Sequence, residues 1–228
     1  MIFQRHYFLA RRAAACLAIL IITLVSSFQL FSQDPHRFKE QTDSLCKLVI
    51  DPEPGKPITL FTGSSSIRMW EDVQDYFPDY YTINTGFGGS HMSDLLFFLD
   101  ELVLQYRPDK IFIYEGDNDV AHGKRPGVIL KDYKQVTDKI HSELPGVPIY
   151  LITPKPSLAR WHLADQYQKV NKRISKLASR DDELFFIDVW PVMLGPDAKP
   201  IEELFIEDGI HMNAKGYILW AEEINKFL

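Results

Sequence analysis

The 228 residues, 46% hydrophobic and 25% charged, have the composition of a globular protein long enough to bury a core without cross-links. The net charge is −6, and setting aside the three arginines of residues 1–32 (Arg5, Arg11, Arg12) leaves −9 on the remainder, which speaks against nucleic acid or an anionic surface as the main partner. Cys46 is the only cysteine after Cys16, so residues 33–228 contain no internal disulfide and the fold does not depend on oxidation.

In chain order, residues 1–32 place those arginines ahead of an apolar run at 13–31, the pattern of an export signal. The run approaches the roughly 20 residues that span a bilayer. A cleaved signal peptide and a retained anchor through residues 13–31 are the two readings, and both put the rest of the chain outside the cytoplasm, as a periplasmic, extracellular or membrane-held protein. Residues 33–57 form a polar, proline-containing lead-in with one short helix near 38–49.

Residues 58–228 read as one domain in which strands and helices alternate. Short apolar runs at 58–62, 81–84, 110–115, 147–153 and 184–188 are predicted strands, each followed by glycine, proline or small polar residues. Apolar residues repeating every 3.6 positions predict helices over 91–106 (capped by Ser90 and stopped by Pro108), 128–144, 167–178 and 214–228. Alternation of this kind implies βαβ units: a three-layer α/β/α domain whose five-stranded parallel sheet has a doubly wound, flavodoxin-like order. Ligands bind such sheets beyond the carboxyl ends of the strands. The residues that follow each strand are therefore the informative ones.

Four such loops carry polar chemistry. After the first strand, Gly63-Ser64-Ser65-Ser66 allows a tight turn and opens a helix, whose free N–H groups can face an oxyanion. Ile67 stands where the G-x-S-x-G elbow needs its closing glycine, so this is not that motif. After the second strand, Gly86, Gly88 and Gly89 let the backbone approach something closely. After the third, Glu115-Gly116-Asp117-Asn118-Asp119 offers an amide donor, a helix cap or a cation site. Before the last helix, Asp208 precedes His211 by three residues, a spacing that lets a carboxylate orient an imidazole. Each signal alone has a bland reading as a cap, a turn or a surface histidine. All four fall at the end facing one crevice.

In that order these blocks resemble the SGNH, or GDSL-like, hydrolases, most closely the platelet-activating-factor acetylhydrolase-like branch over residues 61–96. The resemblance covers residues 58–228 and implies the SGNH hydrolase fold. It assigns Ser65 as nucleophile, His211 as base and Asp208 as its orienting carboxylate. The oxyanion hole falls to the N–H groups of Ser65 and Gly89 and the amide of Asn118. Neither a metal nor an organic cofactor is implied. The chain departs from the family at Ser64, where aspartate is usual.

The resemblance implies attack of Ser65 on a carboxylic ester and an acyl-enzyme that water cleaves. Short, acetyl-like acyl groups on a small molecule, carbohydrate or lipid are expected, because little chain lies between the blocks to build a lid. Arg160 and Trp161, in the loop after the fourth strand, are candidate substrate contacts, and a rigid surface loop is their other reading. The alternatives are a carbohydrate O-acyltransferase or sugar deacetylase with the same residues, a non-catalytic envelope binding module, and an acidic-cluster phosphatase on Asp117, Asp119 and Asp208. The sequence assigns neither the oligomeric state nor the natural ester.

Overall fold

The computed structural model describes residues 34–228. The export segment read in residues 1–32 lies outside the described residues. Glu40–Leu228 form one compact unit, and residues 34–39 lie outside it. Among the latter, Pro35–Phe38 make a 3₁₀ turn whose cap, Asp34, accepts a hydrogen bond from the His36 N–H. The description below concerns the compact unit.

Its sheet is built of β1 (Ile58–Gly63), β2 (Tyr81–Asn84), β3 (Lys110–Tyr114), β4 (Ile149–Ile152) and β5 (Leu184–Ile187), all parallel in the order β2-β1-β3-β4-β5. That is the flavodoxin-like order expected from the alternating pattern. The helices are α1 (Lys39–Leu45), α2 (Ser65–Arg68), α3 (Val73–Tyr76), α4 (Met92–Phe97), α5 (Leu99–Leu102), α6 (Asp117–Ala121), α7 (Pro126–Glu143), α8 (Ala164–Ala178) and α9 (Ala214–Ile224).

Successive side chains of a strand point to opposite faces, so the register sorts the sheet into two cores. One row of register partners is Phe61, Phe112, Tyr150 and Phe185. Their rings stack across four adjacent strands with centroids 4.6, 4.4 and 4.9 Å apart. Phe77 lies parallel to Phe61 at 5.3 Å. Trp70 meets Phe61 edge-on, and Tyr217 and Trp220 of α9 pack onto Trp70. The neighbouring row, Leu60, Ile111, Ile149 and Leu184, is buried throughout and faces the other way. Helices α7 and α8 pack together. They bury Ile129, Tyr133, Val136 and Ile140, and Tyr167, Val170, Ile174 and Ala178, at helical spacing.

The predicted helix over 91–106 differs from the observed structure. It is three short pieces, α4, α5 and a 3₁₀ turn at Leu104–Tyr106, separated at Phe98 (ψ 17°) and Val103 (φ −130°). The apolar spacing is kept: Leu95, Leu99, Leu102, Val103 and Tyr106 are all buried. Periodicity thus reports the buried face without reporting whether the hydrogen-bond ladder is continuous. Its cap is also His91 rather than Ser90. His91 N–H donates to Asp94 at 2.9 Å, whereas the Ser90 hydroxyl is engaged by Glu115 at 2.6 Å and Phe87 O at 3.1 Å.

Candidate active site

The turn after β1 is fixed by the absence of a side chain. Gly63 has φ 128°, and a Cβ there would sit 2.0 Å from the Tyr114 carbonyl oxygen of β3. With the two backbones this close, Ser64 N–H donates to that same oxygen at 3.0 Å. Ser64 then caps α2 through its backbone: its carbonyl accepts from Ile67 and Arg68 at 2.9 and 3.1 Å, while its buried hydroxyl makes no capping bond. The turn is thus held by main chain and not by the side chain at position 64. Ser65 follows as the first helical residue, where an N–H has no partner within the helix.

The glycines after β2 divide into two kinds. At Gly86 a Cβ would lie 2.3 Å from the Arg68 backbone nitrogen, and at Gly88 2.9 Å from Arg68 Nε, so both are bare to let the loop lie on Arg68. Gly89 has open space around it but φ +81°, a conformation that favours glycine. The Asn84 amide ties this loop to α2 by donating to Ile67 O at 2.7 Å and Trp70 O at 3.1 Å, and Phe87 N–H reaches Gly63 O at 2.8 Å.

After β3, Gly116 (φ 93°) turns the chain into α6. Asn118 donates one amide hydrogen to Ser90 O at 3.0 Å. Its Oδ1 accepts from both terminal nitrogens of Arg160 at 3.2 Å, so the amide is held in one orientation with its second hydrogen free. Arg160 reaches there because Asp117 Oδ1 binds it at 2.5 Å. Asp117 is buried and also accepts from Tyr167 at 2.7 Å and Tyr114 at 3.0 Å, with Lys155 at 3.9 Å. Burial pushes its pKa up, but Lys155 and Arg160 outweigh burial and hold it below the usual carboxylate range. Burial pulls the Lys155 ammonium below its ordinary value, and Asp117 offsets only part of that. Asp119 is neutralised separately by Lys124 at 2.8 Å. Two members of the acidic cluster are thus each paired with a cation.

The last turn holds the imidazole. Asp208 Oδ1 accepts from the N–H groups of Ile210 and His211 at 2.8 and 2.9 Å, leaving Oδ2 for His211 Nδ1 at 2.5 Å. Burial raises the Asp208 carboxyl, and these hydrogen bonds bring it below its ordinary value. His211 Nε2 then meets Ser65 Oγ at 2.7 Å. The turn is tied to the loop after β4 by Ala159 N–H on Gly209 O (3.0 Å) and Lys155 Nζ on Ile210 O (2.5 Å).

These residues open onto a cavity of about 640 Å³. Ser65, Gly89, Asn118, Arg160 and His211 line it together, with Arg68, Gly86 and Gly88 beside them. Among the described residues, the N–H groups of Ser65 and Gly89 donate to no protein acceptor. Trp161 is not in the lining; it stacks on Trp190 at 6.0 Å. Sequence reasoning missed Gln41, Ser44 and Leu45 of α1, which also line the cavity. It also missed Arg68, although a position three residues after Ser65 shares its helix face. A hydroxyl, an imidazole and a carboxylate in line can generate an alkoxide at neutral pH, and free N–H donors beside it can hold an oxyanion.

Fold and site together define an ester-hydrolysing serine hydrolase. Residues 55–219 match the GDSL-like lipase/acylhydrolase family model, and the chain belongs to that family. Among solved structures it is similar to a Streptococcus pneumonia protein described as a platelet activating factor (TM-score 0.74, 20% identity, 92% of this chain and 98% of that one). It is also similar to a GDSL-like lipase from Bacteroides thetaiotaomicron (0.69, 18%, 85% and 96%). A third similar structure is an acetylxylan esterase from Geobacillus stearothermophilus (0.59, 16%, 78% and 95%). At these identities the likeness is one of fold. No curated protein sequence matches the chain.

Proposed function

We propose that the enzyme removes short acyl groups, acetyl above all, from a polar alcohol such as a carbohydrate, with Ser65 as nucleophile. The observation that carries this reading is the 2.7 Å contact from Ser65 Oγ to His211 Nε2, with Asp208 at 2.5 Å on the other ring nitrogen. His211 takes the Ser65 proton as Oγ attacks the ester carbonyl carbon. The oxyanion is held by the N–H groups of Ser65 and Gly89 and the free amide hydrogen of Asn118. Collapse expels the alcohol, which receives the proton from His211. Water, deprotonated by the same imidazole, then cleaves the acyl-enzyme.

The preference for short acyl groups rests on the lining, where Leu45 is the one apolar side chain among the described residues. A long acyl chain needs a deeper apolar pocket. An O-acetylated carbohydrate, the substrate class named for the acetylxylan esterase of similar fold, suits a cleft in which glutamine, serine, asparagine and arginine side chains stand beside Leu45. Export through residues 1–32 belongs to the same proposal, and cell fractionation with protease accessibility tests it.

The test uses p-nitrophenyl acetate, butyrate and octanoate with the wild type and Ser65→Ala. Turnover that falls with acyl length and vanishes in Ser65→Ala is the expected result. Hydrolysis that survives the substitution overturns the assignment of the nucleophile, and a preference for octanoate overturns the acyl length.

A further inference from the structure

The glycine pattern Gly86-x-Gly88 reads in the sequence as a backbone approaching something closely. That something is Arg68. The residue sits three positions after Ser65 on α2, so both side chains leave the same face of one helical turn. Gly86 is bare because the Arg68 backbone nitrogen lies beneath it, and Gly88 is bare because the guanidinium lies against it: a Cβ there would be 2.9 Å from Nε, 3.4 Å from Cζ and 3.5 Å from Nη2. Gly88 is itself fixed from α1, where Gln41 Oε1 accepts its N–H at 2.9 Å. Arg68 is exposed to solvent, with one edge of its guanidinium lying against Gly88 at the cavity wall.

Its charge is unspent. Among the described residues Arg68 forms no ion pair and its guanidinium donates no hydrogen bond, in contrast to Arg160, which is committed to Asp117 and Asn118. Among the described residues, the cavity beside Ser65 is lined by both arginines and by no carboxylate. In a chain with 31 acidic and 25 basic residues, a carboxylate-free wall carrying an unpaired guanidinium runs against the average surface. A planar fork of donors with nothing opposite it is a recognition element for an oxyanion.

We infer that the ester this enzyme acts on carries a carboxylate or phosphate group, and that Arg68 binds it while Ser65 attacks the acyl carbon. The inference rests on the esterase reading of the same cavity and adds the charge of the substrate to it. Arg68 makes no bond to the reacting atoms, so it acts on substrate selection.

The experiment compares kcat/KM within pairs that share a leaving group and differ in charge: 4-acetoxybenzoate with its neutral methyl ester (carboxylate on the leaving alcohol), mono-p-nitrophenyl succinate with p-nitrophenyl butyrate (carboxylate on the acyl half), and 2-acetylglycerol 3-phosphate with 2-acetylglycerol (phosphate on the alcohol). One or more anionic esters should exceed their neutral partners by about tenfold or more, the scale of one charge-assisted contact, and the advantage should shrink as salt is raised. Which ester gains tells carboxylate from phosphate and acyl half from alcohol half. In Arg68→Gln the anionic-to-neutral ratio should fall towards one, with Arg68→Lys between. Equal rates for charged and neutral esters in the wild type, or equal losses on both in Arg68→Gln, overturn the inference while leaving the esterase reading intact. Should no ester turn over, that reading fails separately. The anion site is then read by protection of Ser65 from a neutral fluorophosphonate: succinate or phosphate slowing the labelling in the wild type but not in Arg68→Gln supports it, and no protection overturns it.

Discussion

Asn118 is the residue whose neighbours say most about the site. Its carbonyl end is held by Arg160 and its amide end by Ser90 O, so the one free hydrogen has a fixed direction. Asn118→Ala is expected to lower kcat by about 10²–10³, the loss typical of one oxyanion donor. Arg160→Met keeps the amide but frees its orientation and leaves Asp117 short of a cation. We expect a kcat loss of about tenfold or more with a smaller change in KM, measured on p-nitrophenyl acetate. A change confined to KM would make Arg160 a substrate contact instead. The buried Glu115 gives a separate test. Burial, then the neighbouring Asp119, push its carboxyl well above its ordinary 4.5, with the Ser90 hydroxyl opposing. A carboxyl raised on folding favours the folded state below the unfolded value, and that contribution is lost as pH rises through the folded one. Glu115→Gln should therefore flatten the decline of thermal stability above pH 5, and identical slopes would exclude this origin. Ser65, Asp208 and His211 were legible at this scale because each stands in a local motif. The clamp of Arg160 on Asn118 was not legible, because it joins residues 42 positions apart through a loop whose path no periodicity encodes.

At the scale of elements, the site depends on strand ends meeting without side chains. Gly63→Ala would drive a methyl into the Tyr114 carbonyl and strain φ at once. A loss of about 3 kcal/mol or more is expected from chemical denaturation, with poor expression as its first sign. Helix α8 shows the opposite economy. Its buried side is apolar, while Lys169, Lys172, Arg173 and Lys176 follow one another at helical spacing on its exposed side and form no ion pairs among the described residues. Lys172→Glu converts repulsion with Lys169 and Lys176 into attraction and should stabilise the protein by about 1 kcal/mol. No gain would mean that these charges are already screened. Strands read as short apolar runs proved legible to within a few residues, because burial on both faces of a parallel sheet leaves uniform runs. The broken helix at 92–106 was not legible, because its breaks fall between buried residues that keep the helical spacing.

For the whole molecule, the alternation of runs was enough to derive the order of the sheet, since right-handed crossovers leave few topologies open. It could not place α1 beside the cavity, because a segment preceding the first strand is unconstrained by any crossover. The stacked row of Phe61, Phe112, Tyr150 and Phe185 has a consequence for how the enzyme fails. Four rings in face-to-face contact resist sliding of one strand past the next, and the loops bearing Ser65 and Asn118 leave β1 and β3 just beyond that row, while Lys155 ties the imidazole turn to the end of β4. Shear between strands is the motion by which these groups could drift apart while the protein stayed folded. With that motion blocked, heating should leave no folded but inactive species: hydrolytic activity and the sheet signal in circular dichroism should vanish together over one temperature interval.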